Sequence, residues 1–216
     1  MPPIITIVIA TRNLGKKAEI KKLLKGFPVD IKTLDEFGPV PEIEENGKTF
    51  EENAYKKAGF IAKILGMPAL ADDSGLVVEA LDGRPGVHSA RYAGEDATDQ
   101  QRCQNLLREM EGRTDRRAAF ECVISIAVPS GPALTYEGRC EGLIAPSASG
   151  SGGFGYDPIF FYPPAGKTFA EMTAEEKNSV SHRGRALRDL HGEFEKVMVW
   201  IRRHLPLPKP GDCWNA

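Results

Sequence analysis

The sequence predicts an α/β fold, and three features carry that prediction. A β-branched run near the amino terminus passes through a polar cluster into an amphipathic helix. An apolar triplet ends in two adjacent aspartates, and two long strand-like runs flank a Pro-Ser-Gly-Pro turn. With 216 residues, 41% of them hydrophobic, the chain is long enough for one large domain or two small lobes with a real core.

The opening strand is Ile4-Ile5-Thr6-Ile7-Val8-Ile9-Ala10, a continuous run of the kind buried on both faces of a sheet. A helix follows from about Gly15 to Lys25, with Ile20, Leu23, Leu24 and then Phe27 inward and Lys17, Lys21 and Lys22 solvated. Thr49-Phe50-Glu51-Glu52 has capping-box form and opens a second helix, which Met67-Pro68 stops after Gly66. Its inward positions are Phe50, Ala54, Ala58, Ile61 and Leu65. A short strand, Ala69-Leu70-Ala71, then runs into Asp72-Asp73, which places both carboxylates at a strand end, and extended structure resumes at Leu76. Thr98-Asp99-Gln100-Gln101 is a second capping box, starting a helix through Leu106, Leu107 and Met110. Residues 118–128 and 134–144 read as a hairpin, residues 146–155 as a small-residue loop. Leu187, Leu190, Phe194, Val197, Met198 and Ile201 mark the inner face of one long last helix. Residues 1–204 are expected to form a single domain and 205–216 a loosely held, proline-rich tail.

Bulk properties remove several classes of function. A net charge of -2 and a pI near 6.1 supply no global cationic field, so no nucleic-acid partner is expected and any anion site must be local. No apolar run approaches the roughly 20 residues that span a bilayer, and the Met-Pro-Pro-Ile start lacks the features of a signal peptide. Cys103, Cys122, Cys140 and Cys213 show no C-x-x-C spacing and read as reduced thiols of a cytoplasmic protein without membrane contact.

Five segments carry chemistry. Thr11-x-Asn13-x-x-Lys16 places a hydroxyl, an amide and an ammonium around a helix start whose free N–H groups attract phosphate, although the same residues also make an ordinary cap. In Leu70-Ala71-Asp72-Asp73-Ser74-Gly75, two carboxylates suit a magnesium ion that takes one or two protein ligands and completes its shell with water and phosphate; the other oxygen orients or deprotonates water. Read blandly, Asp-Asp-Ser-Gly is a good turn. Glu44-Glu45-Asn46-Gly47 offers a further ligand or a solvated acidic turn. Lys57, one helical turn after Asn53, reaches toward a central site, whereas Lys56 reads as a surface partner of Glu52.

The glycine segment from Ser149 to Pro158 contains a formal G-x-G-x-x-G, but extended structure follows it, so it is no dinucleotide fingerprint. It reads instead as a loop presenting Phe154 to stack on a base and Asp157 to hydrogen-bond its edge. Lys177 to Gly184 is a basic cluster near a helix start: Lys177 and Arg183 can neutralise phosphate, and His182 with Arg183 can donate to an exocyclic carbonyl. His88, His191 and His204 have no metal-ligand spacing.

Together these segments, with Ser89-Ala90-Arg91-Tyr92 and Ser181-His182-Arg183, resemble the inosine triphosphate pyrophosphatase family, especially its bacterial branch of non-canonical purine pyrophosphatases, from Ile4 to about His204. The resemblance implies an elongated, two-lobed α/β subunit with a central mixed sheet, a cleft between the lobes, and a homodimer. It implies that Thr11, Arg12, Asn13, Leu14, Gly15 and Lys16 hold phosphate, and that Asp73 is the proton acceptor and a magnesium ligand with Glu44 and Asp72 beside it. It further implies that Lys57, Ser74, Phe154, Gly155, Tyr156, Asp157, Lys177, His182 and Arg183 bind a purine nucleoside triphosphate such as ITP, dITP or XTP, which is hydrolysed to monophosphate and pyrophosphate. Two other readings compete with it: a pyrophosphatase of the septum-formation-inhibitor type, and a nucleotide sensor without turnover.

Overall fold

In the computed structural model, which describes residues 4–205 apart from residue 42, the β-branched opening run becomes β1 (Ile5–Ile9). β1 pairs in parallel with both β2 (Val29–Thr33) and β3 (Ala69–Val78). Parallel neighbours need crossovers, and these are α1 (Leu14–Leu23) and α2 (Phe50–Leu65), which cover opposite faces of the sheet. Ile7, Val8 and Ile9 are wholly buried as a result. From β3 onward the pairing is antiparallel through β4 (Arg117–Ala127), β5 (Ala133–Ile144), β6 (Phe160–Tyr162) and β7 (Lys167–Thr168). The result is one mixed seven-stranded sheet of order β2-β1-β3-β4-β5-β6-β7.

The remaining helices are α3 (Asp99–Glu109), α4 (Ala174–Val180), α5 (His182–Gly192) and α6 (Phe194–His204). Two lobes follow from where the apolar clusters lie. In one, α1, α5 and α6 pack on one face of β1, β3 and β4, and α2 packs on the other. In the second, the far ends of β3, β4 and β5 join β6 and α3 around Leu76, Leu106, Phe120, Phe160 and Phe169. Cys103, Cys122 and Cys140 are free and buried, and no described helix is long and apolar enough to cross a membrane.

Three sequence expectations change. β3 does not stop at Ala71: Asp72 pairs with Ile124 and Asp73 with Val123, so the carboxylates lie in mid-strand because β4 supplies a partner along the whole length. The single long last helix is two, separated at Glu193, whose backbone (φ -107, ψ 6) leaves the helical region just after Gly192. Lys56 donates to Asn46, not Glu52, whose carboxylate instead accepts the Lys48 N–H. Of the expected tail, Leu205 packs against the first core, and residues 206–216, with Cys213, lie outside the described residues.

Candidate active site

Successive residues of a strand point to opposite faces, and this separates the two aspartates. Asp73 faces α2, where Asn53 and Lys57, one helical turn apart, both reach it: Lys57 Nζ lies 2.9 Å from Oδ1 and the Asn53 amide donates to Oδ2 at 3.2 Å. Lys57 also pairs with Glu45 at 3.1 Å. The Asn53 carbonyl accepts the Gly47 N–H at 2.7 Å and so holds the acidic turn against the helix. Burial pushes the Asp73 carboxyl upward, with Lys57 and Lys16 pulling the other way. For Lys57 burial opposes the charge, but Asp73 and Glu45 outweigh it and raise its pKa.

Asp72 faces α1 and α5. Its Oδ2 takes Lys16 Nζ at 3.1 Å, Arg183 Nε at 3.2 Å and Nη2 at 3.1 Å, and the Ser74 hydroxyl at 3.2 Å. Burial disfavours its charge, yet Lys16 and Arg183 hold its carboxyl well below the usual carboxylate range. Oδ1 has no partner. Asp72 does not line the cleft and does not stand beside Asp73 as a second ligand; it organises two cations from the opposite face.

A cleft of about 410 Å³ runs between the lobes. At the start of α1, Asn13 caps the helix by accepting the Lys16 N–H at 3.0 Å, and Thr11 accepts the Asn13 N–H at 3.2 Å. The capping reading is therefore correct, while Thr11, Arg12, Asn13 and Lys16 also line the cleft. Arg12 is tied to the Val40 carbonyl at 2.8 Å. Leu14 points outward, 76% exposed, and does not line the cleft. Gly15 is needed for space: a Cβ there would sit 2.8 Å from the Phe154 ring.

In the glycine segment, Asp157 holds its own loop. Its Oδ2 accepts the Phe154 N–H at 2.8 Å and Lys177 Nζ at 2.6 Å, so this oxygen is already engaged. Lys177 is held against this loop: its ammonium lies 4.5 Å from the Phe154 ring centre. Arg183 bonds Asp72, Ser74 and Glu19, which uses most of its guanidinium. Tyr156 donates to the Ser89 carbonyl at 2.9 Å. His182 lies parallel to Phe120, ring centres 4.7 Å apart, with Nδ1 unpartnered. Burial depresses its pKa well below the ordinary histidine value, with Arg183 and Lys177 adding to the effect, so the ring is neutral.

Most of the expected site residues thus meet in one cleft, with Ser74 and Gly155 in its wall. Glu44 does not; it accepts from Asn46 at 3.1 Å, and its neighbour Glu45 takes the place beside Lys57. Sequence reasoning named Glu45 only within the segment Glu44-Glu45-Asn46-Gly47, and it missed Glu19, Arg91, Asp99 and Arg102. The signal for Arg91 was its place in Ser89-Ala90-Arg91-Tyr92, and for Asp99 its place just inside a capping box. Among the described residues no three histidine, cysteine or acidic side chains are placed to cage a metal ion. Asp73 and Glu45, hard oxygen donors sharing one ammonium, nonetheless fit a divalent cation that needs only one or two protein carboxylates.

Fold and cleft define an α/β protein with a cation-lined, two-lobed pocket, and residues 7–193 match the Ham1 family, to which this chain belongs. A dITP/XTP pyrophosphatase of Syntrophobacter fumaroxidans is 61% identical over 195 residues, covering 90% of this chain and 84% of the relative. One of Desulfotalea psychrophila is 56% identical over 204 residues, covering 94% and 92%. The structure of a HAM1 protein from Coxiella burnetii matches with a TM-score of 0.84 at 46% identity, over 89% of this chain and 100% of that one.

Proposed function

We propose that this chain hydrolyses non-canonical purine nucleoside triphosphates, ITP, dITP and XTP, to monophosphate and pyrophosphate. The single observation that carries the reading is one cleft lined together by Asp73, Lys57, Lys16, Phe154 and His182. Water attacks the α-phosphorus, and Asp73 takes its proton; a carboxyl raised by burial is a better acceptor than an ordinary aspartate. Lys16, Lys57 and the free N–H groups of α1 neutralise the phosphate oxygens and the pyrophosphate leaving group. Asp73 and Glu45 would hold magnesium, which when bound supplies charge for the phosphates and lowers the pKa of water.

Base choice rests on His182. A neutral imidazole lining the cleft can donate a ring N–H to a 6-carbonyl, whereas the 6-amino group of adenine would set donor against donor. An unpaired buried group costs on the order of 1–3 kcal/mol, or about tenfold to a hundredfold in selectivity. The same reading takes residues 1–204 as one functional domain of a cytoplasmic homodimer that binds no nucleic acid. Three free thiols support the location, and the net charge of -2 supports the last point. Sedimentation in solution tests the dimer.

The experiment measures pyrophosphate release from inosine, xanthosine, guanosine, adenosine and thymidine triphosphates, with magnesium and with chelator, for the native protein and Asp73→Asn. Inosine and xanthosine triphosphates should be turned over fastest, chelator should stop the reaction, and Asp73→Asn should lose at least about a hundredfold. Preference for thymidine triphosphate, release of orthophosphate alone, or tight binding without turnover would each overturn the reading.

A further inference from the structure

α3 begins with an aspartate whose carboxylate takes no part in capping the helix. The cap is complete without it: Gln101 N–H donates to the Thr98 hydroxyl at 3.2 Å, and Thr98 N–H donates to the Gln101 side chain at 2.8 Å. Asp99 instead reaches across 56 residues of chain. Its Oδ2 accepts the Gly155 N–H at 2.6 Å, and its Oδ1 takes Arg102 Nη2 at 2.7 Å. One helical turn on, the Cys103 thiol donates to the Gly155 carbonyl at 3.3 Å, so one face of α3 grips both polar groups of a single residue.

Gly155 is in the left-handed region (φ +63) and lies between Phe154 and Tyr156. The adjacent Phe154 N–H is held by Asp157. Two consecutive N–H groups therefore end on two carboxylates, one from within the loop and one from α3. Arg102, which completes Asp99, is itself fixed by the Ala90 and Ala97 carbonyls at 2.7 and 2.5 Å, next to the Ser89 carbonyl that anchors Tyr156. This chain of contacts ties the loop to the second lobe independently of Lys177 and Arg183.

From this we infer that Asp99 is the positioning residue for purine recognition: by accepting the Gly155 N–H it fixes the Phe154–Asp157 loop in the place where that loop meets the base. The inference rests on the proposed function in taking that loop as the base-binding wall. Asp99 acts through geometry, so an acceptor oxygen at this position is what matters, and its negative charge is secondary.

Three readouts on Asp99→Ala and Asp99→Asn test it. In the ligand-free protein, exchange of the Gly155 amide hydrogen should accelerate at least about tenfold in Asp99→Ala and stay near native in Asp99→Asn, which keeps an acceptor. With inosine triphosphate, Asp99→Ala should raise KM about tenfold with kcat changed less than about threefold, and should narrow the preference over adenosine triphosphate, while Asp99→Asn recovers most of the loss. Inhibition by inorganic tripolyphosphate, which has no base, should be unchanged in both. Equal losses in Asp99→Ala and Asp99→Asn would mean that the charge acts directly. Native KM in Asp99→Ala, unchanged Gly155 exchange, or loss of tripolyphosphate binding would each overturn the inference. If the native protein turns over no inosine triphosphate, the proposed function fails at that step, and the exchange result still decides whether Asp99 holds the loop.

Discussion

Arg183 sits where three elements meet: α5 carries it, β3 supplies Asp72 and Ser74, and α1 supplies Glu19. A planar guanidinium suits this position because several N–H groups must satisfy separate acceptors at once, which a lysine cannot do. Burial alone would disfavour its charge, but the Asp72 and Glu19 carboxylates raise its pKa, so it stays a cation. Removing one member of a buried ionic cluster leaves the others uncompensated, at a cost of about 3–5 kcal/mol. Arg183→Leu should therefore lower the urea midpoint by an amount corresponding to that range. A shift equivalent to less than about 1 kcal/mol would show the cluster to be worth no more than an exposed ion pair. Asp72 is the reason: its Oδ1 already lacks a partner, and loss of Arg183 would leave its Oδ2 with Lys16 and Ser74.

At the scale of elements, α5 reaches the site because β5 lets it come close. A Cβ at Gly138 would lie 2.0 Å from the His182 carbonyl oxygen and 2.8 Å from the Ala186 nitrogen, both backbone atoms that cannot rotate away. Gly138→Ala must push α5 off the sheet, and overpacking of this kind costs about 1–3 kcal/mol. Since α5 carries His182 and Arg183, the same variant should raise KM for inosine triphosphate. Gly192→Ala, where nothing lies within 4 Å, serves as control and should stay within about 0.5 kcal/mol of native. Thermal unfolding of both variants checks this: an unperturbed Gly138→Ala would mean that helix and strand do not touch there. This close approach was not legible in the sequence, where Gly138 is one small residue in a strand-like run. β1, α2 and the β4–β5 hairpin were legible, since each has its own periodicity or turn. β6 showed only as the extended run after Pro158, and β2 and β7 were not legible, because their short runs acquire meaning only from distant partners. The same division holds for the site. Thr11 to Lys16, Lys57 and Asp73 could be read from local chemistry. The opposite roles of Asp72 and Asp73, the choice of Glu45 over Glu44, and the grip of Asp99 on Gly155 all depend on register or tertiary contact.

On the scale of the whole molecule, His182 joins the two lobes: it belongs to α5, yet its ring stacks on Phe120 in the second core. Packing between the two cores keeps it from water, and desolvation is the largest cause of its depressed pKa. In the unfolded chain a histidine titrates near about 6.5. Below that pH the unfolded chain binds a proton that the native protein refuses, so stability is complete above about pH 6.5 and declines as pH falls, by at most about 1.4 kcal/mol per unit for one group. Carboxyls whose pKa is raised by burial, Asp73 and Asp157, work in the opposite sense, gaining stability on acidification through their own lower range. The histidine contribution is therefore isolated by difference. Urea unfolding between pH 8 and about pH 5.5 should show the native protein losing stability faster than His182→Gln on acidification. Parallel curves would mean that the imidazole takes its proton without unfolding, and a ring open to water in that way could not discriminate purines by the neutral donor assigned to it.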